Sequence, residues 1–363
     1  MTKDQYSKNI LYLLLFCSVV IMGFLMKVTA SFMLPVVISV LLSCVFYPIV
    51  KRLNEKLKFP WVLGSIVMVL IVVVIIMVLS TIIGTSLTTF LSQYPKYESK
   101  FLYLYKMCAD TFEFQFYDDK SFFENIWGQL KVREFVQKTA ISFSGDVLAF
   151  TKNVGMILLF IVFLLIEMRY SHEKVDAIFQ GKNSRRVMTV TRKIITETVH
   201  FLSIKFFISL ATGALVFICC LIAGVDFAVL WAFLAFVMNF IPTFGSIFSV
   251  LITTLFTLIQ FYPNSLRIIF IFVSITAVNM ILGNIVEPRI EGKNLGISPF
   301  VILVSLTFWG WMWGFIGMII AVPLMMIVKI ICENVSFLHP IAIILGNKPA
   351  DTQKELSEVE EEA

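Results

Sequence analysis

The 363-residue sequence predicts an all-α, polytopic transmembrane helical bundle with about eight spans. Three observations carry that prediction. The chain is 59% apolar and only 15% charged, with a mean hydropathy of +0.91. Uncharged apolar runs recur near the length of about 20 residues that a helix needs to cross roughly 30 Å of hydrocarbon. These runs also lack the apolar/polar alternation of a lumen-lining strand. A soluble enzyme is excluded. The surplus of 29 basic over 24 acidic residues, a net +5, is too small in so large a chain to point to nucleic acid.

The first run, 10–26, follows Lys3 and Lys8 and imitates a secretory signal. A second run, 30–50, follows almost at once with no small-x-small cleavage site before it, so the expectation is a retained signal anchor. The third run is 61–83. Lys51, Arg52, Lys56 and Lys58 crowd the connection before it, against Lys27 alone in the preceding one, and this places the N-terminus in the cytoplasm. Residues 84–149 then lie outside as a long extracytoplasmic segment, mostly helical, aromatic between charges, with a possible short strand at Phe112 to Phe116. The fourth run, 150–166, returns to a cytoplasmic stretch, 169–205, that carries eight basic residues. Within it, residues 174–200 mix Val187, Val190, Ile194, Ile195 and Val199 with Arg192, Lys193 and Glu197 at spacings that suit an amphipathic helix. That helix rests its basic face on anionic lipid or is simply solvated.

The C-terminal half begins with a run at 206–224. Residues 227–266 then pass without a charge, twice what one crossing requires, and their middle reads Asn239-Phe-Ile-Pro242-Thr-Phe-Gly245. Pro242 must break the helix. Two arrangements fit, one crossing plus a re-entrant part or a hairpin returning to its own side. The break either lines a solute path or is a packed kink with Asn239 hydrogen-bonded inside the bundle. The seventh run, 268–286, ends in Asn279, Gly283, Asn284, Glu287 and Pro288, with Asn279, Gly283 and Glu287 within about 80° on one helical face. An acid at a span end is a functional candidate by default; the alternative is a carboxylate paired with Arg289 or Lys293. Ser298 can cap the last run, 299–328, which opens on Pro299. Inside it, Gly310 and Gly314 form a G-x-x-x-G pair while Gly314, Gly317 and Ala321 share a small-residue stripe for close helix approach, read as packing rather than as a substrate path, and Pro323 bends the span or loosens its backbone.

The organisation expected is therefore 1–83 (three spans), 84–149 (extracytoplasmic segment), 150–205 (fourth span and cytoplasmic helix), 206–345 (the motif-bearing spans) and 346–363, an acidic tail expected to be disordered. The six cysteines show no C-x-x-C, and neither a disulfide framework nor a zinc site is supported. No catalytic constellation, P-loop or cofactor motif occurs, and no cofactor or metal is expected.

The blocks Asn239 to Gly245, Asn284-Ile-Val-Glu287-Pro288, Pro299 and Gly314 to Pro323, in this order and spacing, resemble the signature of the autoinducer-2 exporter family of bacterial permeases. Residues 35–48 resemble the family's second span, with Ser39 and Ser43 where small apolar residues are expected. The resemblance implies an eight-span permease of the cytoplasmic membrane. It would assemble as a homo-oligomer, as a pentamer, and move a small polar solute outward. Members with differing roles leave three alternatives open: export of an autoinducer-2-like signal, exchange of sodium or lithium for protons, and a passive pore or sporulation-associated structural protein. On that reading Asn239, Pro242, Gly245, Asn279, Asn284, Glu287 and Pro288 form the path for solute or monovalent cation.

Overall fold

The computed structural model describes residues 3–112, 153–179, 182–291 and 296–346. Among them the chain is an all-α polytopic membrane protein, its helices carrying long exposed apolar faces as expected of lipid-facing surfaces. Helices α1 (Lys3–Val28), α2 (Ala30–Leu57) and α3 (Trp61–Phe112) come first, followed by α4 (153–169), α5 (Ser171–Ile178) and α6 (Lys182–Ala223). Then come α7 (Ala228–Met238), α8 (Phe244–Phe261), α9 (Ser265–Ile281), a π-helical turn (Leu282–Val286) and α10 (Glu287–Glu291). The chain closes with α11 (Pro299–Asn334), a 3₁₀ turn (Ser336–Leu338) and α12 (His339–Leu345). The expected strand beyond Phe112 and the acidic tail lie outside the described residues.

The chain divides into two compact units, interleaved in sequence. The first comprises 1–69, 153–199 and 295–363. Its inner surface is set where α2, the start of α3 and α4 pack around Val50, Trp61, Ile161 and Leu165. The Trp61 indole N–H donates to the Leu165 carbonyl at 2.8 Å, so this aromatic buries its ring without stranding its donor. Ser39 and Ser43 are fully buried in α2, and the Ser39 hydroxyl reaches both Pro35 O at 2.6 Å and Ile157 O of α4 at 3.1 Å. Ser39 thus ties α2 to α4, whereas the Ser43 hydroxyl is buried with no hydrogen-bond partner among the described residues. The basic stretch after α4 is not one amphipathic helix from 174 to 200: α5 ends at Ile178 and α6 starts afresh at Lys182. Part of its basic face touches protein, since Lys193 pairs with Glu333 at 3.4 Å and Arg186 donates to Asn334 O at 2.6 Å.

Also in this unit, α11 is not the straight span read from residues 299–328. Trp313 (φ −128°, ψ 15°) and Gly314 (φ 66°, ψ −147°) leave helical geometry, and the chain doubles back. Ser305 Oγ lies 3.3 Å from Ala321 O, although 16 helical residues would separate them by about 24 Å. A Cβ on Gly317 would stand 2.1 Å from the Trp309 carbonyl. Gly317 therefore packs against the other arm of its own helix. Gly314 forms the tip with nothing within 4 Å of a hypothetical Cβ, and so does not act with Gly310 as a packing pair on one helix face. Ala321 and Pro323 are buried in the returning arm, which stays helical through the proline. At the tip, the Trp313 indole donates to Met26 O at 3.3 Å and Lys27 lies over the Trp311 ring at 3.3 Å, both contacts to the end of α1. Pro299 does start the helix, but the Ser298 side chain makes no cap bond; its backbone N–H instead donates to Leu345 O at 2.9 Å.

The second unit comprises 70–152 and 200–294, and its core gathers Tyr97, Val216, Trp231, Phe256, Ile271 and Ile275. Here α7 and α8 form another hairpin. Trp231 stacks on Phe256 at 4.8 Å, the Asp226 N–H donates to Gln260 Oε1 at 2.9 Å, and a Cβ on Gly245 would fall 1.7 Å from the Met238 carbonyl. Moving back along one arm thus moves forward along the other, the signature of an antiparallel pair. Of the two arrangements that residues 227–266 allow, the structure adopts the hairpin. Its open end is tied to α3, where the Tyr97 hydroxyl bonds the Asp226 carboxylate and Lys100 Nζ donates to Gln260 O. Burial and the adjacent Asp226 carboxylate hold the Tyr97 phenol well above its ordinary pKa, so it remains a donor.

Candidate functional site: a polar cavity at the first hairpin's tip

The tip of the α7–α8 hairpin forms because three constraints meet in four residues. Pro242 has no N–H to continue α7, Gly245 allows arm-to-arm contact, and Thr243 carries the reversal at φ 65°, ψ −58°. The Phe244 N–H donates to Pro242 O at 2.7 Å, closing a classic γ-turn around Thr243. A β-branched residue in that conformation is strained by about 1–3 kcal/mol, and such strain concentrates at functional sites. The tip also brings the carbonyl end of α7 and the amide end of α8 together, so opposite partial charges face one small volume.

Beside this tip lies a cavity of about 540 Å³. From the hairpin it takes Asn239, Pro242, Thr243 and Ser246; from α9 and the turn after it, Thr276, Asn279, Gly283, Asn284 and Glu287; and from α6, Lys205. Asn239 is buried and donates to Ser209 Oγ of α6 at 3.0 Å, while Asn279 donates to Ile275 O of its own helix at 2.9 Å. Gly283 leaves open space where a side chain would project.

The polar face of α9 is widened by the π-helical turn, in which the Glu287 N–H bonds Leu282 O, five residues back. Pro288 follows with no N–H to offer the normal ladder, and π-bulges of this kind are frequent at functional sites. Glu287 does not pair with Arg289. Its Oε1 lies 2.5 Å from Lys205 Nζ, and the two side chains are 13% and 5% exposed. A buried pair of this sort is costly to break, because removing one partner strands the other charge. The cavity therefore has no net charge among the side chains that line it.

Five of the seven path residues expected from the sequence line this cavity: Asn239, Pro242, Asn279, Asn284 and Glu287. Gly245 acts behind it as the hairpin's closure, and Pro288 follows it as the start of α10. Sequence reasoning missed Lys205, Thr243, Ser246, Thr276 and Ser209. Lys205 was legible in one respect: it sits in Phe201-Leu-Ser-Ile-Lys205-Phe-Phe-Ile-Ser209, an apolar surrounding with no acid within a turn, which demands a partner from elsewhere in the fold.

The profile of AI-2E family transporters matches residues 11–337. The chain belongs to that family. Among its relatives, a protein of Borreliella burgdorferi named in general terms for transport is 35% identical over 333 residues, covering 91% of this chain and 90% of that protein. The AI-2 transport protein TqsA of Escherichia coli is 34% identical over 199 residues, 54% of this chain and 56% of TqsA. YueF of Bacillus subtilis, also named for transport, is 21% identical over 313 residues, 83% of each chain. Family membership makes this a transporter-family protein of the membrane, and the motif blocks from Asn239 to Gly245 and from Asn284 to Pro288 all lie within the matched range.

Proposed function

We propose that this protein is a permease of the bacterial cytoplasmic membrane, N-terminus inside, that exports a small neutral hydroxylated solute and performs no covalent chemistry. Autoinducer-2, the solute in the name of the TqsA relative, is the first candidate. The observation that carries the reading is the cavity at the hairpin tip: three asparagines, three hydroxyl residues and an internally compensated Lys205–Glu287 pair inside an otherwise apolar bundle. Amides and hydroxyls donate and accept, which suits an uncharged polyol. Exchange of sodium or lithium for protons is less well supported, because it asks for a carboxylate free to hold a cation and Glu287 is occupied by Lys205. Assembly as a homo-oligomer, a pentamer, is part of the same proposal.

The test is counterflow of autoinducer-2 in proteoliposomes, comparing the wild type with Gly283→Leu. A side chain at 283 enters open space, so the leucine should fill the cavity without disturbing the fold and abolish counterflow at unchanged thermal stability. Unimpaired counterflow in a stable Gly283→Leu protein would remove the cavity from the solute path. Absence of wild-type counterflow would refute autoinducer-2.

A further inference from the structure

One turn beyond Glu287 stands a second carboxylate that the cavity does not use. Glu291 Oε1 is closed to solvent and has no hydrogen-bond partner among the described residues. The groups that act on it electrostatically are Glu287 from its own helix and Lys205 and His200 from α6. Lys205 Nζ is held at 2.5 Å by Glu287. A second carboxylate, one oxygen of it closed to solvent and without a donor, thus stands one turn from a pair whose lysine is already committed to Glu287. Two such acids cannot both ionise cheaply, and a carboxyl oxygen left without a donor is costly in its charged form.

We infer that Glu291 is a proton-binding site that governs the Lys205–Glu287 pair and, through it, the cavity. With a proton on Glu291, Lys205 has a single anionic partner and the cavity wall is closed by a compensated pair. When Glu291 loses that proton to solvent, its charge competes for Lys205, the pair at Glu287 loosens, and the cavity gains a carboxylate that is only partly compensated. His200, exposed on α6, is the second titratable group facing this carboxyl and supplies added charge compensation when protonated. The consequence is a pH dependence of solute handling that originates outside the cavity. This part rests on the transport reading above; the proton site itself does not.

Two measurements on the full-length protein in phosphatidylethanolamine/phosphatidylglycerol vesicles test it separately. Infrared difference spectra over a pH titration should contain, in the wild type and in His200→Gln, a protonated-carboxyl component that is missing from Glu291→Gln. Wild-type and Glu291→Gln spectra that differ by no such component overturn the proton site even if transport is confirmed. In the second, autoinducer-2 counterflow should vary with pH in the wild type and become flat in Glu291→Gln, held at the wild type's acid-side rate, because glutamine mimics the neutral acid. Wild-type pH dependence retained in Glu291→Gln overturns the control of the cavity. Should no autoinducer-2 flux appear in any variant, the solute assignment fails and the infrared result still decides the site.

Discussion

The two helical hairpins solve one problem by different means. The first, α7–α8, turns through Pro242 and a strained Thr243 and brings polar residues to its tip; the second, within α11, turns at Trp313 and Gly314 and surrounds its tip with indoles. Both close on a glycine, Gly245 against the Met238 carbonyl and Gly317 against the Trp309 carbonyl. Only the reversal differs in cost. Gly314 occupies a φ/ψ region that glycine enters freely, whereas Thr243 does not belong at positive φ. The strain sits at the hairpin that faces the polar cavity, and the relaxed turn at the hairpin that carries none of the cavity residues.

The comparison breaks most completely if either hairpin is really a crossing. In a cysteine-free background, Asn264→Cys should react with an impermeant thiol reagent from outside only, and Phe337→Cys from inside only. Internal labelling of Asn264 would mean that 227–266 crosses the membrane. Charge supplies the next largest effect. Lys205→Met strands Glu287 beside the first hairpin and should cost about 3–5 kcal/mol, seen as a large loss of thermal stability, with much of it restored in the Lys205→Met/Glu287→Gln pair. At the second hairpin's base, Lys193→Met should cost under about 1 kcal/mol, because Lys193 is 32% exposed and Lys329 still holds Glu333 at 3.0 Å. Equal losses would show that burial does not distinguish the two pairs.

The glycines sharpen the contrast further. Gly245→Ala drives a methyl into backbone and should cost about 3 kcal/mol or more, whereas Gly314→Ala meets no atom and pays only for its backbone conformation, about 1–3 kcal/mol. Size-exclusion melting curves of the purified variants order them. A Gly314→Ala protein less stable than Gly245→Ala would mean that the second turn, and not the first closure, is the tighter constraint.

The bundle was legible because lipid imposes its own rule: apolar runs long enough to cross must be helical, and the described residues of these runs are helical, six of the helices being long and apolar enough to cross. The first hairpin was half legible, since an uncharged run of double length with Pro242 in it demands a break, and the hairpin was one of two arrangements left open. The second was not. Residues 299–328 have an ordinary span's length and composition, and Gly310, Gly314 and Gly317 read equally well as a contact stripe; only the carbonyl beside Gly317 shows that the approach is internal. Asn279, Asn284 and Glu287 follow one another along one helix and its π turn, and Asn239 stands in the block that Pro242 marks, so all four could be found locally. Lys205 could not, because its partner lies 82 residues away and no local period connects them.

The shortness of α7 bears on how the protein is made. Its 11 residues reach about 16 Å, half the hydrocarbon thickness, and its inner end carries no charged flank to anchor in a headgroup layer. During synthesis it cannot dwell in lipid as an independent segment. It must enter together with α8, already paired, into a place prepared by α6, whose Gly213 admits the Ala232 carbonyl at 2.9 Å from where a Cβ would be. Biogenesis of this region is therefore a docking event rather than a sequence of threadings, and a large residue at Gly213 would trap the nascent chain before the cavity exists.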